Sequence, residues 1–359
     1  MNSFGRKFRV SIFGESHGDA IGVVLDGVQP GIPLSTEDFS EDILRRKSGA
    51  KGTTPRIETD EPEILSGVYN GHTTGAPLAI IFRNRNTRSS DYRLFNDVPR
   101  PGHADYTASI KWLDFNDPRG GGHFSGRITL PVVAAGVVAK KMLVCKVKAA
   151  LTEVGGVTVE EALAGIGDVA LPTGDRERPD NLSPSEIWAE VLDRTIKERD
   201  SVGGIVECRV DNIPAGLGEP FFDSVESLIS HAIFSIPGVR GIEFGDGFRA
   251  ARMKGSEHND PFDNVDKSSS LTLHTSVKPS KNGAGGINGG ITNGNPIVFR
   301  VAFKPTSSIG KGQKTFNFAT GQMTSLEIPG RHDACIALRT PVIVEAMTAI
   351  VLADLTSLM

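Results

Sequence analysis

Hydrophobic and polar positions follow two rhythms along this chain, short alternating runs and longer stretches with almost no polar face. Val10-Ser11-Ile12-Phe13 has the two-residue rhythm of a strand and runs into the turn Gly14-Glu15-Ser16-His17-Gly18. A second strand over Ile21 to Leu25 follows, so His17 is expected on a short hairpin-like loop. Leu34-Ser35-Thr36-Glu37-Asp38-Phe39 predicts a helix start, with Ser35 as cap, Asp38 at the third position and Leu34 stapling Phe39. That helix closes on Arg45-Arg46-Lys47, cations at the negative end of its dipole. Residues 128–147 predict the most apolar helix. Val132, Val133, Ala135, Gly136, Val137, Ala139 and Met142 leave little polar face before Lys140, which places it centrally, between sheets. Ser183-Pro184-Ser185-Glu186 reads as a capping box with proline at the first helical position. Further helices are expected over 222–236 and from Thr340 to Leu358, and strands over 78–83, 204–210, 269–275 and 297–303. Strands and long helices mix without the alternation of a parallel sheet, which predicts an α+β class. The charged, proline-bearing stretches 166–182 and 254–267 read as insertions, so residues 1–359 are expected to form a single domain.

Composition narrows the function classes. The 359 residues can bury a large core, and 38% hydrophobic with 23% charged content is that of a soluble globular protein. A net charge of −4 offers no global attraction to nucleic acid or to an anionic membrane. Anionic ligands must therefore be captured by local arginines. Cys145, Cys208 and Cys335 lack C-x-x-C spacing and suit a reducing cytosol. The N-terminal residues show no apolar signal region, and Leu130 to Ala139 meets two lysines after about half a bilayer span. A cytoplasmic, membrane-free protein is expected. Glycine is the unusual number: 41 residues, against three tyrosines and two tryptophans, imply many tight turns or close backbone approaches.

Three clusters carry candidate chemistry. Taken alone, His17 in Gly14-Glu15-Ser16-His17-Gly18 is either a ligand-facing imidazole or a turn histidine bonded to a nearby carbonyl. The same letters fit Gly-x-Ser-x-Gly, but a nucleophile elbow needs a strand-to-helix turn, and here a strand follows. The second cluster joins Arg100-Pro101-Gly102-His103 with Arg119-Gly120-Gly121-Gly122-His123-Phe124-Ser125-Gly126-Arg127. Its triple glycine precedes the apolar helix and forms a potential anion site, or simply a glycine-rich turn. It is not a P-loop, since no Gly-Lys-Ser/Thr follows. The third comprises the glycine run 282–291, Lys304-Pro305-Thr306-Ser307-Ser308 and Arg331-His332-Asp333. Here glycines could bed a flat ring and the hydroxyls could hold a phosphate tail, against a flexible hairpin and a local ion pair as the plainer alternatives. Zinc spacing is absent from the histidines, so no metal is expected and an organic cofactor suits the glycine-rich context better.

In order along the chain, GESHGDAIGVVLDGVQP (14–30), RPGHADY (100–106), RGGG with SGR (119–127), AGGINGG (284–290), FKPTSSI (303–309) and RHDACIALRTPVIVEA (331–346) resemble the chorismate synthase family. The resemblance implies a β-α-β sandwich with long central helices between two antiparallel sheets, assembled as a homotetramer. It implies anti 1,4-elimination of phosphate from 5-enolpyruvylshikimate 3-phosphate, with reduced FMN required although no net redox change occurs. NADPH is a candidate electron source, with an external flavin reductase as a candidate partner. By matching motif positions, Arg46, Arg100, Arg127 and Arg331 would grip the substrate anions, with Lys51 and Arg56 as helpers. The resemblance assigns His103 to protonating the reduced flavin near N1, His17 to protonating the departing phosphate, and Asp333, with Ser16 nearby, to assisting proton removal. FMN would lie against His123, Phe124, Ser125, Pro237, Gly238, Gly289, Lys304 to Ser308 (through Pro305, Thr306 and Ser307) and Arg331. The chain departs from the family pattern at His123 and Phe124, where an arginine and a serine are usual, and at Gly52, where an arginine is common. A flavin-dependent oxidoreductase would need a nicotinamide site, and no G-x-G-x-x-G follows a strand. A non-catalytic anion- or nucleotide-binding module would explain the glycines and arginines, but not two loop histidines with Asp333.

Overall fold

Strand β2 (Arg9–Gly14) and strand β3 (Ala20–Asp26) pair antiparallel from Arg9 opposite Asp26 to Gly14 opposite Ile21, so the His17 turn joins them as the alternation predicts. With β1 (Ser3–Phe4), β4 (Glu63–Ser66) and β5 (Leu78–Arg83) they form a five-stranded antiparallel sheet in the order β1-β2-β3-β5-β4. A second antiparallel sheet contains β6 (Lys146–Val154), β7 (Val157–Thr158), β8 (Gly204–Asp211), β9 (Val239–Phe244) and β10 (Ile297–Phe303), ordered β9-β10-β8-β6-β7. These elements come from a computed structural model that describes residues 1–54, 58–85, 94–164, 182–262, 278–328 and 332–358. The strand expected over 269–275 and most of the 166–182 insertion lie outside the described residues.

Between the sheets lie helices α2 (Thr129–Met142) and α3 (Pro341–Leu358), and α1 (Ser40–Arg46) packs on both. α2 packs on the first sheet, α3 on the second, and the two helices pack on each other, which gives the β-α-β sandwich. Gly136 makes the crossing close: a Cβ built there would sit 2.3 Å from that of Ala346. The apolar helix expected over 128–147 is shorter than its hydrophobic run. At Leu143 the backbone turns extended, and from Lys146 the polar-apolar alternation, with Val147 and Leu151 buried, belongs to β6. Over 222–236 the regular helix is only Val225–Ile233, because Ser224 caps it by accepting the Ser227 N–H at 3.1 Å. Before α1 the chain first makes a 3₁₀ turn, Thr36–Phe39, with Ser35 N–H donating to Asp38 at 2.7 Å and both Leu34 and Phe39 buried. At 183–186 the capping box forms, with the Ser183 N–H on Glu186 at 2.7 Å.

α3 is long and apolar enough to cross a bilayer by length and composition, yet most of it is buried inside the protein and two carboxylates interrupt it. Glu345, 3% exposed, accepts from Arg45 at 2.6 and 2.8 Å, from Lys140 at 2.8 Å and from the Ala149 N–H at 2.9 Å. Asp42 completes the network with Arg45 and Lys140 at 3.0 and 2.8 Å. One turn from the end of α3, Asp354 accepts the backbone N–H groups of Arg6, Lys7 and Phe8 at 2.7–3.0 Å.

Burial opposes ionisation of Glu345, but Arg45 and Lys140 outweigh it and hold its carboxyl below the usual range. A depressed folded-state pKa adds stability that is complete above the unfolded value of about 4.3 and disappears as pH falls through the folded one. Glu345→Gln should therefore flatten the acid limb of melting temperature against pH; an unchanged limb rules this out. Glu345→Ala should cost about 3–5 kcal/mol in urea unfolding, because two cations lose their buried partner.

Candidate active site

A cavity of about 1700 Å³ opens where the His17 turn, the 100–105 and 119–127 segments, α1 and the 304–308 segment converge. Its chemistry begins at the triple glycine. Gly120, Gly121 and Gly122 have φ of 62°, 82° and 55°, a left-handed backbone that glycine adopts at little cost and residues with a Cβ adopt only with strain. A Cβ on Gly120 would lie 2.5 Å from His17 Cδ2 and 2.7 Å from Ser16 Oγ; one on Gly121 would lie 3.7 Å from His103 Nε2. Gly122 O accepts the Ser16 N–H at 3.1 Å. The triple glycine thus lets both histidines approach one stretch of backbone, His17 at Gly120 and His103 at Gly121, and both rings line the same cavity. The chain runs through two 3₁₀ turns, Arg119–Phe124 and Gly126–Ile128, before α2 begins, so these glycines pack on imidazoles instead of opening the helix.

A buried charge cluster lines the same cavity. Asp60, 4% exposed, pairs with Arg46 at 3.0 Å through one oxygen and with Arg127 at 2.6 Å through the other. Burial would raise Asp60, but the two guanidiniums overcome it and hold the carboxyl down. Burial pushes Arg46 down to about 10, Arg339 and Arg127 adding to the effect against Asp60. Arg127 Nε donates to Asn84 Oδ1 at 2.7 Å. Arg46 Nε, Arg127 Nη2 and Arg339 Nε are buried and have no hydrogen-bond partner among the described residues. Buried donors in that condition are costly until an anion accepts them.

Elsewhere in the same cavity, Arg100 is committed to Asp105: Nε and Nη2 form a two-pronged pair at 2.8 Å each, and Nη1 donates to Ser308 at 3.2 Å. His103 Nδ1 lies 2.6 Å from Asp105 and 3.0 Å from Arg100 Nη2. Burial works against the Asp105 charge, but Arg100 and His103 hold the carboxyl well below the usual range. Arg100, expected on the substrate, is therefore engaged within the chain and orders the His103 loop.

Asp333 is tied at both oxygens, to the Thr54 N–H at 2.9 Å and to Arg339 Nη2 at 2.7 Å, while its carbonyl accepts from Thr306 at 3.0 Å. Lys304 Nζ donates to Ser307 Oγ at 2.8 Å, and burial with Arg240 nearby lowers the lysine from its ordinary value. Pro237, Gly238, Pro305 and Ser308 line the same cavity. So do His123, Phe124 and Ser125, but the His123 ring is engaged with Gly14 O at 2.9 Å and Asn2 Oδ1 at 3.2 Å, and Phe124 leans on Trp112.

Two expected residues stand elsewhere. Lys51 is exposed and pairs with Asp193 at 2.7 Å, away from the cavity lining. Gly289 is exposed on the Ile287–Thr292 hairpin, also outside the lining. The rest of that glycine run serves backbone contact: a Cβ on Gly285 or Gly286 would lie within 2.5 Å of Gly245 N or Pro296 O. Arg56 and Arg331 lie outside the described residues. Sequence reasoning overlooked Asp60, Asn84, Asp105 and Arg339. Two of them stood in quoted motifs, Asp105 in RPGHADY and Arg339 in RHDACIALR; Asp60 and Asn84 sit in ordinary polar turns with no signal of their own. Among the described residues no group of three or more His, Cys, Asp or Glu could hold a metal ion.

The family model described as Chorismate synthase matches residues 8–357. A chorismate synthase of Chitinophaga pinensis is 55% identical over 99% of this chain and 96% of its own length. One of Dehalococcoides mccartyi is 46% identical, again over 99% of this chain and 96% of its own. A crystal structure of chorismate synthase superimposes with a TM-score of 0.70 at 28% identity, covering 98% of this chain and 92% of that one. Fold, cavity and relatives converge, and the chain belongs to the chorismate synthase family.

Proposed function

We propose that the cavity binds reduced FMN and 5-enolpyruvylshikimate 3-phosphate together, with His17 and His103 as separate proton donors beside the triple glycine. The reaction is that of the family, a carbon-oxygen lyase step that eliminates phosphate and gives chorismate. One observation carries the residue assignment: imidazoles lie against Gly120 and Gly121 in a cavity where the buried Arg46 and Arg127 and the half-buried Arg339 each keep a buried nitrogen without a partner among the described residues.

The donor set fits both ligands. The substrate's carboxylates and phosphate match Arg46, Arg127 and Arg339, with Arg331 and Arg56 as further candidates by motif. Pro237, Gly238 and Ser125 offer a thin wall, and Lys304, Thr306, Ser307 and Ser308 offer donors, for the flavin. When bound, reduced FMN would supply electron density for the allylic system and an acceptor for the ring proton. His17, buried at 6% exposure and backed by Gly120, gives its proton to the departing phosphate. His103, backed by Gly121 and braced by Asp105, holds its proton for the cofactor's side of the cavity. Asp333 keeps Arg339 aimed and retains one lone pair on each oxygen for assisting proton removal. Ser16 keeps the His17 turn on Gly122.

The same reading includes a single domain over 1–359, supported by a main hydrophobic core that draws residues from Phe8 to Leu355, with a small satellite of Phe95, Val98, Leu326 and Ile328 among the described residues. It includes a cytoplasmic homotetramer, supported by large exposed apolar side chains such as Phe115, Phe221, Phe222 and Phe248. Electrons for the flavin would come from NADPH, directly or through an external flavin reductase.

Purified protein with anaerobically reduced FMN should convert the substrate to chorismate and phosphate; no turnover, with both ligands shown to bind, would overturn the assignment. His103→Ala should slow turnover by roughly 10²–10⁴-fold, and near wild-type turnover would remove His103 from the mechanism. Asp60→Asn should destabilise the protein by about 3–5 kcal/mol, because two buried guanidiniums lose their shared counter-charge. A melting curve matching that of the wild type would contradict this.

A further inference from the structure

Asn84 stands one residue beyond β5, at the junction between the His17 turn and the arginine cluster. Its amide makes three hydrogen bonds. Nδ2 donates to Glu15 O at 3.1 Å and to Gly18 O at 2.8 Å, the two carbonyls that bracket Ser16 and His17. Oδ1 accepts from Arg127 Nε at 2.7 Å. The Asn84 main chain reinforces the contact, its N–H donating to Asp19 O at 3.1 Å. Only a side chain with two N–H donors and an acceptor on one planar group can make this set; Asp lacks the donors and Leu lacks both.

The consequence for Arg127 is geometric. Nε is fixed by Asn84 and Nη1 by Asp60, so the guanidinium plane has no freedom to turn, and Nη2 is the buried nitrogen left without a partner among the described residues. The same Asn84 amide fixes the turn that carries His17. One side chain therefore sets the position of an anion-gripping nitrogen relative to a proton-donating ring.

We propose that Asn84 is a positioning residue that couples the His17 turn to Arg127, holding the proton donor in register with the anion that Arg127 grips. This rests on the reading of His17 as the donor to the departing phosphate. The carboxamide's two ends serve different steps: the Nδ2 end orders the proton donor, and the Oδ1 end orders the binding cation.

Two variants separate the ends. Asn84→Asp keeps an acceptor for Arg127 Nε and removes both donors to the turn, so kcat should fall by about 10–100-fold, as for a misplaced reacting group, with KM within about threefold. Asn84→Ala removes both ends, so the same fall in kcat should come with a rise of about tenfold in KM and in the substrate Kd measured by calorimetry. Melting temperatures should stay within a few degrees of the wild type for both. The inference is overturned if Asn84→Asp keeps its kcat, if it changes KM alone, or if either variant is too unstable to assay, since that is a structural role. His17→Ala is measured beside them. If it turns over at the wild-type rate, the reading of His17 falls. If it is slow while Asn84→Asp is fast, the inference about Asn84 falls alone.

Discussion

The close crossing of α2 and α3 at Gly136 is the contact on which both layers depend, because each helix is the floor on which one sheet packs. Gly136 leaves no room for a methyl group against Ala346, so the helices approach until backbone meets side chain. Such nearness gains dispersion contacts along the whole crossing. It also leaves helix faces that are apolar all round, with nothing in their own pattern to fix rotation or slide. Glu345 removes that ambiguity. Its carboxylate lies beside the crossing and demands Arg45, Lys140 and the Ala149 N–H at once, one partner each from α1, α2 and β6. A buried ion network is weak evidence for stability but is suited to selecting one arrangement among several apolar ones.

The same logic, with opposite sign, governs the cavity. Around Glu345 every charge is satisfied by the chain. Around Asp60 the cations exceed the carboxylate, and three guanidinium nitrogens are buried without an acceptor among the described residues. The fold therefore stores an electrostatic preference for anions in a place that a closed core would not tolerate. Asp60 and Asn84 limit the expense by orienting the guanidiniums. The glycines at 120 and 121 keep the imidazoles within reach of the same space without a side chain in between.

Much of the fold was legible because its signals are local. Strand alternation at 10–13, 78–83, 204–210 and 297–303, and the caps at Ser35 and Ser183, depend on neighbours within a few residues. The end of α2 was not, since the apolar run continues past Met142 and only the sheet decides that Val147 and Leu151 face the core as strand residues. Within the site, His17, His103, Arg46 and Arg127 were found as motif letters. Their partners Asp60 and Asn84 carry no such signal, because a polar residue in a turn has no distinctive pattern until Arg127, 67 and 43 positions away, is folded against it. Arg100 shows the converse: a motif arginine reads as a ligand, while its true neighbour, Asp105, is visible only once the loop closes. The glycine run at 284–290 reads equally as a ring bed or a hairpin, and the distances at Gly285 and Gly286 suit backbone packed on backbone.

Asp354 ties the two ends of the described chain together, and this has a temporal side. The turn at Arg6–Phe8 lies between β1 and β2, yet its N–H groups find their acceptor 346 residues downstream. At ribosomal rates of ~5–20 residues per second, that acceptor emerges roughly 20–70 s after the turn it anchors. During that interval the first sheet has its hairpins but not its clasp, and once α2 has emerged, the face it turns to α3 is still open to the solvent. The clasp therefore closes only after α3 has docked, and a ribosome stalled short of residue 354 leaves the beginning of the chain unlocked.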